Sequence, residues 1–340
     1  MTTIAGLDVG GAHLKVALVE NGTPVAAEQF VCPLWQGMDR LDAALSQAGP
    51  LIVRADRVAI TMTGELSDLF PDRRSGVAAL VDRLAGEFGD KSVFWMGRQG
   101  FGSAESAKTA FADVASANFL ATATAAGLRT ANALLIDIGS TTTDIIPIKN
   151  GQPVPLGFTD ADRLISGELV YTGLTRTELM AIADAAPFKG QTQRLCREYF
   201  ATAADARRVL GSLPEGVDQH ATADGRGRSV DESVGRLARM FGRDAADGTL
   251  DDWKQAAGAI LERQLVSILE GATQVLSASA LGSEPVVVAC GIGADVAAAI
   301  AGRVGMVPVS FGTLCGCDGA LSLASTRVAP AVAVALLLAK

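Results

Sequence analysis

At 340 residues the chain fits one large domain or two moderate ones. Hydrophobic residues make up 49% and charged residues 19%, which excludes global disorder and leaves ample material for a core. With 37 acidic against 29 basic side chains the net charge is −8, a balance that argues against nucleic acid and anionic membrane surfaces as partners.

The chain opens on Met1-Thr2-Thr3 and runs straight into a strand-like segment with no basic lead-in, so no signal peptide is expected. The first informative stretch, residues 7–19, is Leu-Asp-Val-Gly-Gly-Ala-His-Leu-Lys-Val-Ala-Leu-Val. This reads as a β-hairpin, continued through an Asn21-Gly22 turn into a third strand over 25–31. Buried strands are expected at Val58–Thr63 and Ser92–Met96, with helical periodicity over Gly76–Phe88 and Ala104–Leu128. Residues 136–148, Ile-Asp-Ile-Gly-Ser-Thr-Thr-Thr-Asp-Ile-Ile-Pro-Ile, then echo the opening hairpin. Asp8 falls on Asp137, Gly10 on Gly139, Gly11 on Ser140, His13 on Thr142 and Lys15 on Asp144. Such an echo implies an α/β protein of two related halves.

The stretch from Thr159 to Gly248 is the most polar, with helical pieces over Arg194–Leu210 and Asp231–Phe241. Thr249 caps a long amphipathic helix reaching about residue 280, with Asp251 and Asp252 in its first turn. A strand over Pro285–Cys290, a Gly291-Ile292-Gly293 turn, a helix over Ala294–Val304 and a strand over Val307–Phe311 follow, then small-residue helix to the end. The apolar run from Val328 to Ala339 is twelve residues long, short of the ~20 a bilayer span needs, and reads as a buried terminal helix. No low-complexity linker divides the halves, so they should pack tightly around a cleft.

Asp8-Val9-Gly10-Gly11 places a carboxylate at a strand end beside glycines whose backbone a ligand can approach closely. That suits a phosphate held by N–H donors and a Mg²⁺ held by the carboxylate, although a two-glycine hairpin is common. Asp137 to Asp144 is more specific: Ser140, Thr141, Thr142 and Thr143 crowd four hydroxyls between two aspartates, more than a turn needs merely to close. Gly291 and Gly293 open a helix whose N-terminus favours anions, or simply make a tight connection. Lys15 reaches phosphate oxygens from the same strand face as His13, or is a solvated strand residue. The five cysteines, at 32, 196, 290, 315 and 317, are odd in number and spread widely, as expected of reduced thiols in a cytoplasmic protein. Cys315-Gly316-Cys317 is too short a pair for a metal site, and two histidines, His13 and His220, exclude a multi-histidine one. Trp35, Trp95 and Trp253 are scattered and form no nucleic-acid platform.

Three strand–turn junctions in this order resemble the phosphate-1, phosphate-2 and adenosine motifs of the actin/sugar-kinase/Hsp70 superfamily. That resemblance implies two actin-like, ribonuclease H-like lobes around a central cleft. The first lobe would be residues 1–130 plus the C-terminal helix from about 322 to 340, the second 131–321 with a helical insertion at about 159–248. More narrowly, the chain resembles the hydantoinase/oxoprolinase-related group, whose members include an archaeal condensing enzyme of methanofuran assembly. The motifs carrying this are Thr61 to Leu66, Ser116-Ala117-Asn118-Phe119, Ile136 to Ile148, Thr159-Asp160 with Arg163-Leu164, Gly167 to Gly173, Arg176-Thr177, Glu198 to Thr202, Thr222 to Gly225 and Arg236 to Met240. Relatives of this kind occur in bacteria that use tetrahydromethanopterin-linked one-carbon transfer.

The resemblance implies a transferase in which an aminomethylfuran methyl diphosphate loses diphosphate to the phenol oxygen of a tyramine or tyrosine derivative, forming an ether in methanofuran or methylofuran assembly. It implies Mg²⁺ near Asp8 and Asp137, with ATP or ADP the less favoured ligand. Phosphate oxygens would meet Gly10, Gly11, Lys15, Gly139, Ser140, Thr141, Thr142, Gly291 and Gly293. Glu65 and Asp144 are the candidate bases, Glu65 alternatively serving only to hold local amides. Asp160, Arg163, Tyr171, Arg176 and Asp224 are candidate substrate contacts; Arg163 or Arg176 would hold a diphosphate or carboxylate or else pair on the surface, Tyr171 would line the site or merely pack, and Asp224 would line the site or cap a helix. The alternatives are an ATP-using kinase or amidohydrolase-like enzyme with adenine near Gly291–Gly293, and a non-catalytic nucleotide-sensing or scaffolding protein. The apolar tail and the long helix offer surfaces for a homodimer.

Overall fold

The computed structural model describes residues 2–340. β1 (Thr3–Val9), β2 (His13–Glu20) and β3 (Thr23–Val31) form an antiparallel meander. Asn21 and Gly22 both take positive φ, 50° and 79°, the twist that lets a two-residue turn join right-twisted strands. Helix α1 (Asp39–Ile52) crosses over to β4 (Arg57–Met62), parallel to β1, and α2 (Arg73–Phe88) crosses to β5 (Ser92–Trp95), with the short β6 (Phe101–Gly102) at the edge. The order is β3-β2-β1-β4-β5-β6.

Helices α3 (Ala104–Thr109), α4 (Phe111–Val114) and α5 (Asn118–Gly127) lead into the second sheet. There β7 (Ala133–Ile138) and β8 (Thr143–Lys149) repeat the opening hairpin, and Asn150-Gly151 repeats its turn at φ 52° and 75°. The third strand is curtailed: β9 (Gln152–Pro153) pairs with β8 for two residues, and beyond α6 (Asp160–Ser166) the short β10 (Leu169–Val170) takes the position beside the tip of β8. α7 (Leu179–Ile182), the hairpin β11 (Ala185–Phe188) and β12 (Gln191–Arg194), α8 (Ala203–Leu210) and α9 (Val230–Met240) follow. α10 (Leu250–Ala278), β13 (Val286–Cys290), α11 (Ala294–Arg303) and β14 (Val307–Ser310) then complete a sheet of order β10-β8-β7-β13-β14. β13 lies parallel to β7 as β4 lies parallel to β1, so the two sheets share one topology.

The chain closes with α12 (Phe311–Leu314), α13 (Gly319–Arg327) and α14 (Ala329–Leu338). Alanine-rich α5 and α14 sit between the sheets, packed on Ile4, Ala17 and Ala59 of one and on Leu135, Ile146 and Val288 of the other. Contact on every side explains why α14 is apolar all round. Separate cores lie on the outer faces, under α1 and α2 in one lobe and under α10 and α11 in the other. Among the described residues no single helix is long and apolar enough to cross a membrane.

Residues 104–128 break into three helices: Ala110 leaves the helical backbone between α3 and α4, at φ −92° and ψ 37°, and Ser116, left-handed at φ 53°, separates α4 from α5. The expected helix over 194–210 begins only at Ala203, where Thr202 and Asp205 form a capping box; Gln191–Arg194 is a strand. Residues 329–336 are all buried within the chain, as a buried terminal helix requires.

Candidate active site

Both acidic hairpins open into one cavity of about 550 Å³, lined by residues of the two lobes. Asp8 and Asp137 occupy equivalent places, each at the penultimate residue of the strand that enters the turn. Across the hairpin, Asp8 faces Lys15 in register and Asp137 faces Asp144.

That one difference sets the electrostatics. Lys15 Nζ lies 3.0 Å from Asp8 Oδ2, and although burial opposes it, the charges of Asp8 and then Asp137 hold the lysine pKa above its ordinary value. Asp137 has no hydrogen-bond or ion-pair partner among the described residues, and burial pushes its pKa up to about 7 despite Lys15; Asp144 and Asp8 push the same way. Asp144 is raised by burial and partly restored by Arg163, whose guanidinium it binds.

The turn backbones turn unpaired N–H donors toward the cavity. Leu174 N–H donates to the Gly139 carbonyl and Arg176 N–H to that of Ser140, fixing the hydroxyl loop. Gly10 and Gly139 each donate to the residue three on, His13 and Thr142. The N–H groups of Gly11, Ala12, Ser140, Thr141 and Thr142 have no backbone acceptor among the described residues, and all five residues line the cavity. Arg176 completes the set. Its guanidinium stacks 4.7 Å from the centre of the Trp35 ring, Nη1 donates to Thr141 Oγ1 at 3.2 Å, and no carboxylate among the described residues pairs with it.

Other candidates fall elsewhere. Arg163 lines the cavity but is committed: buried, bound to Asp144, 3.9 Å from Asp160 and stacked at 3.8 Å on Phe119. It is therefore not a free anion ligand. Asp160 lines the cavity and reaches across the lobes to Arg73 Nη2 at 3.2 Å. Tyr171 lines the rim and is 66% exposed. Asp224 is outside the cavity, its carboxylate held by Arg236 at 3.0 Å and Arg239 at 3.4 Å; its role is to hold the loop before α9. Gly291 N–H donates to the Thr326 carbonyl and Gly293 N–H to that of Ile138, so neither is available to phosphate. Gly291 is needed for a different reason: at φ 80°, a Cβ there would sit 2.3 Å from the Ile138 oxygen and 2.4 Å from Asp137 Oδ1. Glu65 is 1% exposed and lies behind the cavity wall, accepting from Ser116 Oγ at 3.1 Å, and burial carries its pKa to about 7.

Three cavity residues went unassigned in the sequence. Trp35, read as one of a scatter, carries Arg176. His13, whose ring lies 4.6 Å from that of His220, bridges the lobes through Nε2 atoms 3.1 Å apart. Burial, with smaller contributions from neighbouring cations, lowers both, His220 to about 4, so each ring is neutral near pH 7. Ser116 was visible only as part of a motif.

The site fits a divalent cation. Asp8 Oδ1 and Thr61 Oγ1, in register on β1 and β4, are buried without partners, and Asp137 is unpaired. Among the described residues no three His, Cys, Asp or Glu side chains converge, so such an ion would keep water and ligand oxygens, as Mg²⁺ does.

Two sheets of one topology, each delivering an acidic hairpin to a shared cleft, define a two-lobed protein of the actin/sugar-kinase/Hsp70 fold. A nucleotide-free acetone carboxylase structure shares this fold at TM-score 0.56 and 11% identity, over 89% of this chain and 67% of that one. Residues 54–332 match the hydantoinase/oxoprolinase family, and the chain belongs to it. A (4-{4-[2-(gamma-L-glutamylamino)ethyl]phenoxymethyl}furan-2-yl)methanamine synthase from Methanocaldococcus jannaschii is 34% identical over 239 residues, 70% of this chain and 71% of that protein. A synthase of the same name from Methanococcus vannielii is 35% identical over 121 residues, 36% of this chain and 54% of that protein.

Proposed function

We propose that this protein is a transferase that joins an aminomethylfuran methyl diphosphate to the phenol oxygen of a γ-glutamylated tyramine, releasing diphosphate, in the assembly of a methanofuran-type cofactor. The observation that carries the reading is the convergence of Asp8, Asp137, five free backbone donors and an unpaired Arg176 on one cavity. The relatives are named for a phenoxymethylfuran product, whose ether bond supports this reading.

The diphosphate docks on the two turns, with Arg176 on one side and Lys15 on the other. Asp8 and Asp137 would hold Mg²⁺, which when bound neutralises charge on the departing diphosphate. The electron-rich furan stabilises positive charge at its methylene carbon as the C–O bond to diphosphate breaks. The phenol, with an ordinary pKa of ~10, must lose its proton as the ether forms, which calls for a carboxylate on the wall. Asp144 and Asp160 are the carboxylates at hand on the second lobe.

The test is direct. The purified protein, given Mg²⁺, the synthetic furan diphosphate and γ-glutamyltyramine, should release diphosphate and form one ether of the expected mass. Turnover of ATP with an amine or hydroxyl acceptor, and none of the furan diphosphate, would replace this reading with the kinase-like one.

A further inference from the structure

Among the described residues Ser116 is one of five non-glycine residues with a positive φ. Asn21, Asn150 and Lys189 each precede a glycine in a turn, and Glu284 precedes the proline before β13. Ser116 alone among the five is buried, at the junction of α4 and α5. That strained backbone brings its Oγ 3.1 Å from Glu65 Oε1 and 3.4 Å from Asp160 Oδ2. Ser116 and Asp160 line the cavity, whereas Glu65 is walled off and its second oxygen, Oε2, is buried with no partner at all.

We infer that Ser116 is a proton-relay residue connecting the cavity carboxylate Asp160, which takes the phenol proton, to the buried carboxylate Glu65, which stores it. The inference rests on the function proposed above. As the phenol O–H breaks, its electron pair becomes the new ether bond, and the methylene–oxygen pair leaves with diphosphate. The proton goes to Asp160, Asp160 protonates Ser116 Oγ, and the serine's own proton passes to Glu65 Oε1. Ser116 ends unchanged, Glu65 ends protonated, and the path reverses to water after product leaves.

The surroundings favour this direction. Facing the relay from α6 are Asp160 and Arg163, and from α2 Arg73, so Asp160 lies between two guanidiniums, 3.2 and 3.9 Å away. Glu65 has no cation against it, and its burial makes it the better proton sink. The shorter of the serine's two contacts is to Glu65, the geometry of a hydroxyl already donating that way.

Ser116→Gly is the variant of choice, because glycine accepts φ 53° and the change removes only the hydroxymethyl group. If the relay operates, kcat falls about 10²-fold in Ser116→Gly and in Glu65→Gln. The rise of kcat with pH through about 7 in the parent protein, where Glu65 ionises, disappears in both. A second readout needs no turnover: the Glu65 carboxyl, followed by ¹³C NMR in glutamate-labelled protein, should titrate near 7 and move upward in Ser116→Gly, which loses the donor. A parent-like kcat and pH profile in Ser116→Gly, or an unmoved Glu65 titration, overturns the relay. A parent protein inert to the furan diphosphate overturns the proposed reaction, and the carboxyl titration then decides the serine link alone.

Discussion

The two hairpins are the same device with opposite wiring. In the first, the residue across from the aspartate is Lys15, and the pair is neutral within itself. In the second it is Asp144, which is tied to Arg163 and leaves Asp137 alone. A buried carboxylate without a partner is costly to ionise, which is why Asp137 titrates near 7 while Lys15 is driven the other way, toward keeping its charge. Duplication supplies two equivalent strand ends, and the residue across the ladder decides which aspartate has a cation of the chain beside it.

The comparison breaks or stands on one substitution made twice. Asp137→Asn should lower turnover at saturating Mg²⁺ by more than ~10³-fold, because it removes the unpaired charge facing the leaving group. It should also stabilise the fold at pH 8. A carboxylate whose folded pKa is raised contributes stability below its unfolded pKa of about 4 and loses it as pH rises through about 7, so ionised Asp137 is a burden at pH 8. Its removal is worth roughly 1–3 kcal/mol, read as a higher Tm at pH 8 that vanishes by pH 4. Asp8→Asn should do the reverse, costing roughly 1–3 kcal/mol at pH 8 by leaving the Lys15 ammonium unmatched. Equal stability changes in thermal melts of the two variants would end the argument.

Arg176 sharpens the same contrast, since it is the cation that the second hairpin lacks internally. Arg176→Ala should raise KM for the furan diphosphate about 100-fold, and Arg176→Lys about 10-fold, because an ammonium neither forks onto two oxygens nor stacks on Trp35. Initial rates of diphosphate release give both numbers.

A smaller effect is expected behind Asp137. Gly291→Ala drives a methyl into the Ile138 carbonyl and the Asp137 carboxylate from a backbone at φ 80°. A loss of roughly 2–3 kcal/mol in denaturant melts should follow, with weaker Mg²⁺ binding by calorimetry. The register partner on the first lobe, one residue after the one that faces Asp8, is Met62.

What was readable in the sequence follows the range of the interaction. The hairpins, their Asn-Gly turns and the Thr249 capping box are local, and alternation, turn chemistry and an i to i+3 pair announce them. The convergence of Asp8 and Asp137 was readable through the echo alone, because repeated sequence means repeated topology. Arg163 on Asp144 was not: their meeting depends on β10 joining the edge of β8, which swings α6 over the hairpin. The break at Ser116 was hidden for the same reason, since nothing near it in sequence demands a left-handed residue; Glu65 and Asp160, 51 and 44 positions away, do. Gly291 and Gly293 gave the right turn and the wrong use, because their N–H groups answer to Thr326 and Ile138 rather than to a ligand.

Asp224 should show the smallest effect on activity and marks the edge of the site. Its place in a Gly-rich loop left Asp224 either lining the site or capping a helix, yet Asp224 Oδ1 already accepts from Arg236 Nη1 and from the Arg226 N–H at 3.1 Å. Those bonds, with Arg236 in turn on Asp205, hold its carboxyl below the usual carboxylate range once they outweigh desolvation. Asp224→Asn keeps the size and one acceptor while removing the charge, so kcat/KM should stay within about twofold of the parent. Thermal stability should fall by no more than about 1 kcal/mol, since the side chain is partly solvated. A tenfold loss of kcat/KM with the melt unchanged would move this loop onto the substrate and extend the site beyond the two hairpins.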